Sequence, residues 1–472
     1  MASSRKSSRS KAASVDLAAR VAAQVSNVVK PADRLVVGLS GGVDSVVLLD
    51  CLQRVARRLR FRLSALHVNH QLSPNAGRWS AFCRRICRAR GVPFRSIKVK
   101  VPRGDSVEAA ARAARYAAFR RQPADYVVLA QHQDDQVETL LLQLLRGAGV
   151  KGLAAMPLVR IQDSGFRIQG QAERVKSSPE SRVPSPAVLR PLLDVTRAEI
   201  EAYASKRGLE WVEDESNEDV YFQRNFLRHR VLPVIARRFP AYRATVARSV
   251  HHLAEAADLL DELAANDGAG YLDGGTLAVD ALRRLPPARA RNLLRHFLAT
   301  RGVPMPNVER LDEALRQALS ARQDARVLIE LGGANLRRHA GRLHVVPESG
   351  PLPARYARRW RGQNEIVLPE LGGVLTLARA RGAGISISRL RGRPVTIRVR
   401  QGGERLQPDC RRPRRSLKNL LQEARVPPWQ RERLPLIFCG EELVWAAGIG
   451  VDCAFQAVRG EAALRPAWMR WP

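Results

Sequence analysis

Six consecutive residues, Ser40, Gly41, Gly42, Val43, Asp44 and Ser45, stand where an apolar run from Leu35 to Leu39 gives way to Val43, Val46, Val47 and Leu48 at helical spacing. Two glycines in a strand-to-helix turn permit positive φ and close backbone approach, and the free N–H groups of the helix's first turn point into the same space. The turn is an anion cradle. Ser40 and Ser45 add hydroxyl donors that suit a pyrophosphate bridge, and Asp44 adds a carboxylate able to hold Mg2+ or orient a substrate. No GK[ST] closes the loop and no GxGxxG is present, so it is neither a Walker A loop nor a dinucleotide fingerprint.

A second group lies in QHQDDQVETLLLQLLRGAG, residues 131–149. A helix is expected from near Asp134 to Gly147. Asp135 and Glu138, three apart, share one face of its first turn, beside His132 and Asp134. Acids in a first turn also complement the helix dipole. Four acid/base groups at the end of one strand nevertheless read as a functional constellation. On a helix pattern over residues 105–122, Arg112 and Arg115 share a face with Glu108 and are placed to hold phosphates of ATP or of an RNA backbone; the plain alternative is an Asp105–Glu108 capping box with a solvated ion-pair stripe. His67, Asn69 and His70 close a strand over 61–70, where open α/β sheets meet ligands, although a turn asparagine and edge histidines would look the same.

The elements that must position these groups alternate strand and helix as far as residue 150, which predicts an α/β fold with a doubly wound parallel sheet. Residues 160–186, rich in Ser, Pro and Gln, read as an insertion loop, and Thr196 as the N-cap of a helix to Lys206. The domain reading is a basic tail and leading helix over 1–29, a catalytic domain over 30–228, a helical domain over 229–346 and a small α+β domain over 352–472. Asn225 and Arg228 sit just before a helix at the first boundary. Residues 230–321 look almost wholly helical, with a hairpin at 327–346. In the last domain Arg411, Arg412, Arg414, Arg415 and Lys418 precede a short helix and are followed by Trp429 and Arg431, a basic cluster with an aromatic that a nucleic acid can use, or else a solvated loop with Trp429 in the core.

The chain has 472 residues, enough for about three domains, and a formal net charge of +34 with pI near 11.3. That balance favours a polyanionic partner, nucleic acid first. Six cysteines without a CxxC pair are expected as reduced thiols in a cytoplasmic protein. No run of about 18 apolar residues predicts a membrane span.

SGGVDS resembles the PP-loop of the N-type ATP pyrophosphatases. Together with HVNHQL, EAAARAARY, QHQDDQVET, the EDESN loop, QRNFLRHRVLP and GGERLQP…SLKNLLQEARVPPWQRERLPLI, it resembles the tRNA(Ile)-lysidine synthase family across most of residues 30–460. The resemblance implies ATP and Mg2+ as co-substrate and cofactor, and ligation of L-lysine to C2 of the wobble cytidine of tRNA(Ile) with a CAU anticodon; no membrane partner is expected, and a homodimer is left open as an assembly. Carried over residue by residue, Ser40 to Ser45 match the ATP signature; read from position, His67 is expected beside the nucleotide and Asp44 as the metal ligand. Asp44, Arg112, His132, Asp135 and Glu138 are the implied catalytic set. Arg115, Asn225, Arg228 and the terminal cluster Arg411, Arg412, Arg414, Arg415, Lys418 and Arg431 are expected, from charge and position, as the nucleic-acid contacts. One departure is that the family usually has paired histidines where this chain has Gln131 and His132, so no role for the first is carried over. A PP-loop tRNA thiolase lacks the cysteine pair it generally wants, and a glutamine-dependent amidotransferase lacks an amino-terminal nucleophilic cysteine. A non-catalytic RNA-binding module would have no need of Ser40, Asp44, Asp135 and Glu138.

Overall fold

The computed structural model describes residues 16–101, 107–160, 185–321, 327–348, 350–353 and 355–471. The basic tail to residue 15, the capping position Asp105, the Glu108 side chain and nearly all of the 160–186 stretch lie outside the described residues.

Two compact units are present, Met1–Tyr271 with Arg284–Met305, and Leu272–Arg283 with Pro306–Pro472. In the first, α1 (Leu17–Ser26), β1 (Arg34–Gly38), α2 (Val43–Leu59), β2 (Arg62–Asn69), α3 (Ala76–Ala89), β3 (Phe94–Lys98), α4 (Val107–Arg120) and β4 (Tyr126–Val128) alternate. They lead to α5 (Gln133–Leu145), α6 (Val150–Leu153), β5 (Val159–Arg160), β6 (Ala187–Leu189) and α7 (Arg197–Lys206). The sheet order is β3-β2-β1-β4-β6-β5, parallel throughout except for the edge strand β5. Chain order runs outward from β1 through β2 to β3 on one side and through β4 to β6 on the other. The carboxyl ends of β1 and β4 therefore flank the switch point where such sheets bind ligands.

Strand β1 is apolar without alternation because both its faces are covered. Leu35 and Val37 join α1, α2, α3 and α7 through Val21, Val47, Ile86 and Ile200 in one core, while Val36 packs with Leu66, Val127 and Phe119 of α4 on the other. Thr196 caps α7 as its spelling predicts, its Oγ1 accepting from the Glu199 amide at 3.2 Å while Glu199 accepts in return from the Thr196 amide at 2.7 Å.

Beyond α7 come α8 (Gln223–Phe226), a π-helical turn at Leu227–Val231, α9 (Leu232–Arg238) and the long α10 (Tyr242–Asp267). Val137 of α5, Leu232 and Tyr242 form a small apolar cluster that fixes these helices against α5.

The second unit is mostly antiparallel. Strands Leu272–Asp273 and Thr276–Ala278 join the 328–347 strands in a five-stranded sheet, so the stretch from 230 to 321 is less wholly helical than its pattern predicts. Gly274 and Gly275, both at positive φ, make the turn between them, and two- and three-residue strands leave almost no periodic trace. The carboxyl-terminal part holds a five-stranded and a four-stranded sheet around Leu375, Ile397, Leu436 and Val444.

The expectation of six reduced thiols is corrected at one pair. Cys410 and Cys453 form a disulfide, their Cα atoms 5.5 Å apart, whereas Cys51, Cys83, Cys87 and Cys439 are free and buried. The partners are 43 positions apart, and only the docking of the 407–414 loop on 451–456 brings them together. No helix among the described residues is long and apolar enough to cross a membrane.

Candidate active site

The turn after β1 is built as a cradle. Ser45 Oγ accepts from the Gly41 amide at 3.1 Å and donates to the Gly42 carbonyl at 2.9 Å, and Ser40 Oγ lies 3.1 Å from it. Gly41 has φ +98°, and a Cβ there would stand 2.8 Å from Val212 Cγ2 and 3.3 Å from Cys83 Sγ, so both backbone conformation and space require glycine. Ser40 is exposed and Ser45 buried, which leaves the first hydroxyl and the amides of α2's first turn facing outward.

Asp44, in that first turn, meets the end of β4. Its Oδ2 accepts from Arg197 Nη1 at 2.8 Å, while its Oδ1 is buried without a hydrogen-bond donor among the described residues, 3.8 Å from His132 Nε2. Burial pushes the Asp44 carboxyl up, against the pull of His132 and Arg197. An orphaned, buried carboxylate oxygen beside a phosphate cradle fits a cation shared with phosphate oxygens. Among the described residues no three His, Cys, Asp or Glu side chains are grouped to hold a metal alone. A Mg2+ here would depend on Asp44, nucleotide phosphates and water, its usual mode in such sites.

His132 is the N-cap residue of α5, and its amide donates to Asp135 Oδ2 at 3.1 Å. Its ring stands among three carboxylates, Asp44 at 3.8 Å, Asp134 at 3.7 Å and Asp135 at 3.6 Å. Glu138, fully buried, accepts from Arg228 Nε at 2.7 Å and Nη2 at 3.1 Å, with Arg224 Nε at 3.3 Å. Burial raises the Glu138 carboxyl even so, with Asp135 adding to the rise and Arg228 opposing it. Arg228 also reaches Asp135 Oδ1 at 3.5 Å from within the π-helical turn, a distortion that often marks function. Its assignment as a tRNA contact thus meets a guanidinium already engaged by two carboxylates.

Asp134 faces the other way, bonded by the Arg197 amide at 2.9 Å and by Arg243 of α10. Burial works to raise it, but these donors outweigh burial and hold it below the usual carboxylate value. Arg197 and Arg243 carry no motif of their own, whereas Arg224 stands beside Asn225 in QRNFLRHRVLP. A signal exists for the first two: Arg197 and Arg243 sit in the first turns of α7 and α10, where the helix dipole disfavours a cation.

On the α4 side, Arg112 lies 5.0 Å over the Tyr116 ring, its Nη2 3.4 Å from the hydroxyl. Tyr116 is also a hydrogen-bond partner of Arg190, the residue after β6, which is 1% exposed. Arg190 donates to Gln131 and, at 2.9 Å, to the Pro157 carbonyl. Among the described residues no carboxylate pairs with Arg112 or Arg190. Burial acts to raise the Tyr116 phenol, but Arg190 and Arg112 outweigh it and lower it. Gln131 thus holds a buried guanidinium one residue before His132.

The remaining predicted residues are placed as follows. His67 is buried with Nδ1 2.9 Å from the Leu39 carbonyl, so it braces the backbone entering the cradle. Asn69 is a turn residue, accepting from the Gln71 amide at 2.8 Å and donating to the Ala76 carbonyl at 3.2 Å. Arg115 lies close enough to His70 that, after burial, it lowers that imidazole. Asn225 is buried and donates to the Asp219 carbonyl at 2.9 Å. In the second unit Arg411 and Lys418 are exposed, while Arg412, Arg414 and Arg415 pair with Asp409 at 3.4 Å, Asp452 at 2.8 Å and Glu423 at 2.8 Å. Arg431 donates to the Val426 carbonyl at 2.7 Å. Trp429 is half-buried, edge-on to His339 and His344 and under Arg337.

The sequence matches the model of a PP-loop domain over residues 14–235, of a TilS substrate binding domain over 277–344 and of a TilS substrate C-terminal domain over 395–468. It is 49% identical over 443 residues to a tRNA(Ile)-lysidine synthase of Nitrosomonas europaea, covering 93% of each chain. Identity to the protein of that name from Azoarcus sp. is 42% over 442 residues, covering 93% of this chain and 92% of that one. For Coxiella burnetii it is 38% over 429 residues, covering 90% of each. A cradle, an acid cluster at the sheet's switch point and identity along nine-tenths of full-length relatives converge on one assignment: the chain belongs to the tRNA(Ile)-lysidine synthase family.

Proposed function

We propose that the protein joins the ε-amino group of L-lysine to C2 of the wobble cytidine of tRNA(Ile) with a CAU anticodon, converting ATP to AMP and pyrophosphate. The observation that carries this reading is that Asp44 of the cradle, His132 and Asp135 lie within 3.8 Å steps of one another, so a nucleotide phosphate and an amine would share one site.

The C2 carbonyl is a poor electrophile. Its oxygen attacks the α-phosphorus of ATP and pyrophosphate leaves; the lysine amine then attacks C2 and AMP leaves with the oxygen. The amides after Gly41, with Ser40 and Ser45, hold the departing pyrophosphate, and Arg112 meets the charge that develops on the phosphoryl group. Asp44 and the phosphates would hold a Mg2+, which would supply further charge neutralisation. Lysine arrives as an ammonium with pKa about 10.4 and must lose a proton before attack. Both Glu138 oxygens are taken by Arg228, so Asp135 is assigned to bind the ammonium and His132 to accept its proton. His67, Arg115 and Asn225 serve as supports and flanking contacts. The 30–228 region carries the chemistry, while 229–346 and 352–472 grip tRNA, with Arg411 and Lys418 offering the free charges of the terminal cluster.

Sulfur transfer is the weaker reading. Burial pushes the Cys51 and Cys83 thiols to about 12 and Cys87 to about 11, leaving them protonated at neutral pH.

The test is incubation with ATP, Mg2+, labelled lysine and unmodified tRNA(Ile) bearing CAU, followed by nucleoside mass analysis. Label on the wobble cytidine with AMP and pyrophosphate released is the expected result; ATP consumption without label in the RNA would overturn the choice of nucleophile.

A further inference from the structure

The outer ends of α5 and α8 carry apolar side chains that no core uses. Leu144 and Leu145, which end α5, are 57% and 75% exposed, Tyr221 just before α8 is 88% exposed, and Phe226 at the end of α8 is 49% exposed. The two ends are joined. Arg146 Nη2 donates to Gln223 Oε1 at 2.9 Å, and Arg224 Nη2 donates to Thr139 Oγ1 at 3.0 Å, so α8 lies along α5 with its flanking aromatics facing out. The inner sides of these same segments hold Glu138, Asp135 and Arg228.

Exposed leucines and aromatic rings with the Arg146 guanidinium beside them are not an ordinary solvated surface. They match the requirement of a single-stranded RNA loop, whose bases offer flat apolar faces and whose backbone is anionic. The distance is suitable too. Leu145 is ten residues beyond Asp135, about 15 Å along the helix, or roughly four bases at the stacked rise of about 3.4 Å. An enzyme that works on the C2 edge of a base must draw that base from its stack, and its neighbours then lose a stacking partner. Replacement faces are needed near the site. A second copy of this chain is a poor occupant, since each copy carries +34.

Resting on the tRNA reading above, we propose that Tyr221 and Phe226, with Leu144 and Leu145 beside them and Arg146 at the rim, form a stacking platform for the unpaired loop bases next to the target cytidine. Tyr221 and Phe226 stack, the leucines fill the space under the sugar edges, and Arg146 meets the backbone.

The experiment compares wild type with Tyr221→Ala/Phe226→Ala and with the ring-keeping Tyr221→Trp/Phe226→Tyr. Binding of unmodified tRNA(Ile) with CAU is measured at two salt concentrations, alongside ATP affinity without RNA and the fluorescence of 2-aminopurine placed beside the wobble position. Loss of each stacked base is expected to weaken tRNA binding on the order of 5- to 150-fold, so the alanine pair should lose at least that much. The salt slope should not change, because no phosphate contact is lost. ATP affinity should hold, and the quenching seen with wild type should be lost in the alanine pair and restored in the ring-keeping pair. Unchanged tRNA affinity with unchanged quenching overturns the platform. A wild-type dimer that the alanine pair converts to monomer at constant tRNA affinity also overturns it, assigning the patch to self-association. Failure of wild type to transfer lysine would instead sink the functional reading, and the binding comparison would still decide the platform.

Discussion

Replacing Arg228 by Met tests how the acid cluster is held. Glu138 is fully buried and accepts two hydrogen bonds from Arg228, with Arg224 at 3.3 Å as its other cation. Removing one partner of a buried pair costs about 3–5 kcal/mol, because the charge left behind has lost its water without keeping its partner. Arg224 remains and Arg228 is a third exposed, so the lower end, about 3 kcal/mol at pH 8, is expected. The pH dependence fixes the mechanism. Burial already raises Glu138, and loss of Arg228 raises it further. A raised carboxyl binds its proton more tightly folded than unfolded, so stability falls as pH rises from the unfolded value of about 4.3 through the folded one. The deficit of Arg228→Met should therefore be largest at pH 8 and shrink toward pH 5. Adding Glu138→Gln should recover a substantial part of it at pH 8, since no buried charge is then stranded. The assay is urea unfolding of the four proteins of the double-mutant cycle at pH 5, 6.5 and 8. An Arg228→Met deficit equal at all three pH values, or unrelieved by Glu138→Gln, would refute the electrostatic account and leave Arg228 as a packing residue.

Gly41→Ala should abolish measurable ATP binding by calorimetry, as positive φ and a 2.8 Å contact with Val212 together demand that the cradle move, at a cost of roughly 2–4 kcal/mol. Arg190→Met should cost at least about 3 kcal/mol in thermal unfolding, because Gln131, Tyr116 and the Pro157 carbonyl each lose a buried donor; Arg190→Lys should recover much of the stability but little of the lysine transfer, since one ammonium does not reproduce the fork. Reductant should raise the count of titratable thiols in denaturant from the four free cysteines to six and lower the unfolding transition of the second unit by up to about 4 kcal/mol, the chain-entropy value for a loop of this length. No shift with dithiothreitol would refute the chain-entropy account, because the Arg414–Asp452 ion pair and the Gln456 hydrogen bonds hold the 407–414 loop in the folded state and leave the effect of reduction to the unfolded chain.

What was readable before the structure was whatever is contiguous. SGGVDS carries its geometry within six residues, because a glycine turn between a buried strand and a helix has few other solutions, and Asp135 and Glu138 share a face by helix period alone. The parallel sheet followed from the alternation of strand and helix as far as residue 150, and β1 is apolar without alternation because both its faces are covered. Three kinds of feature escaped. Strands of two or three residues, Leu272–Asp273 and Thr276–Ala278, are too short to show alternation. The Cys410–Cys453 pair lacks a local motif, since a disulfide depends on how loops dock. The terminal basic run looked like free charge, yet Arg412, Arg414 and Arg415 each have an acid opposite, supplied in two cases by residues 8 and 38 positions away.

The same limit explains why the carboxylates of the site were visible while their chemistry was not. Asp44, Asp134, Asp135 and Glu138 are opposed by Arg197, Arg224, Arg228 and Arg243, four anions against four cations, with Arg197 and Asp44 separated by 153 positions and Arg243 and Asp134 by 109. A carboxylate read from sequence is taken to be free to bind a cation. Here Asp134 is spent on Arg243 and the Arg197 amide, and Glu138 on Arg228, so only the unpaired Oδ1 of Asp44 and the His132-facing side of Asp135 remain for ligands. Both groups approach Nε2 of one imidazole, that of His132, between the ends of β1 and β4. The arginines from α7, α8, the π-helical turn and α10 thus narrow four candidate carboxylates to two. Asp44 Oδ1, without a hydrogen-bond donor among the described residues, is open to a phosphate-bound cation, and Asp135 Oδ2 can keep the His132 amide while its second lone pair meets an ammonium.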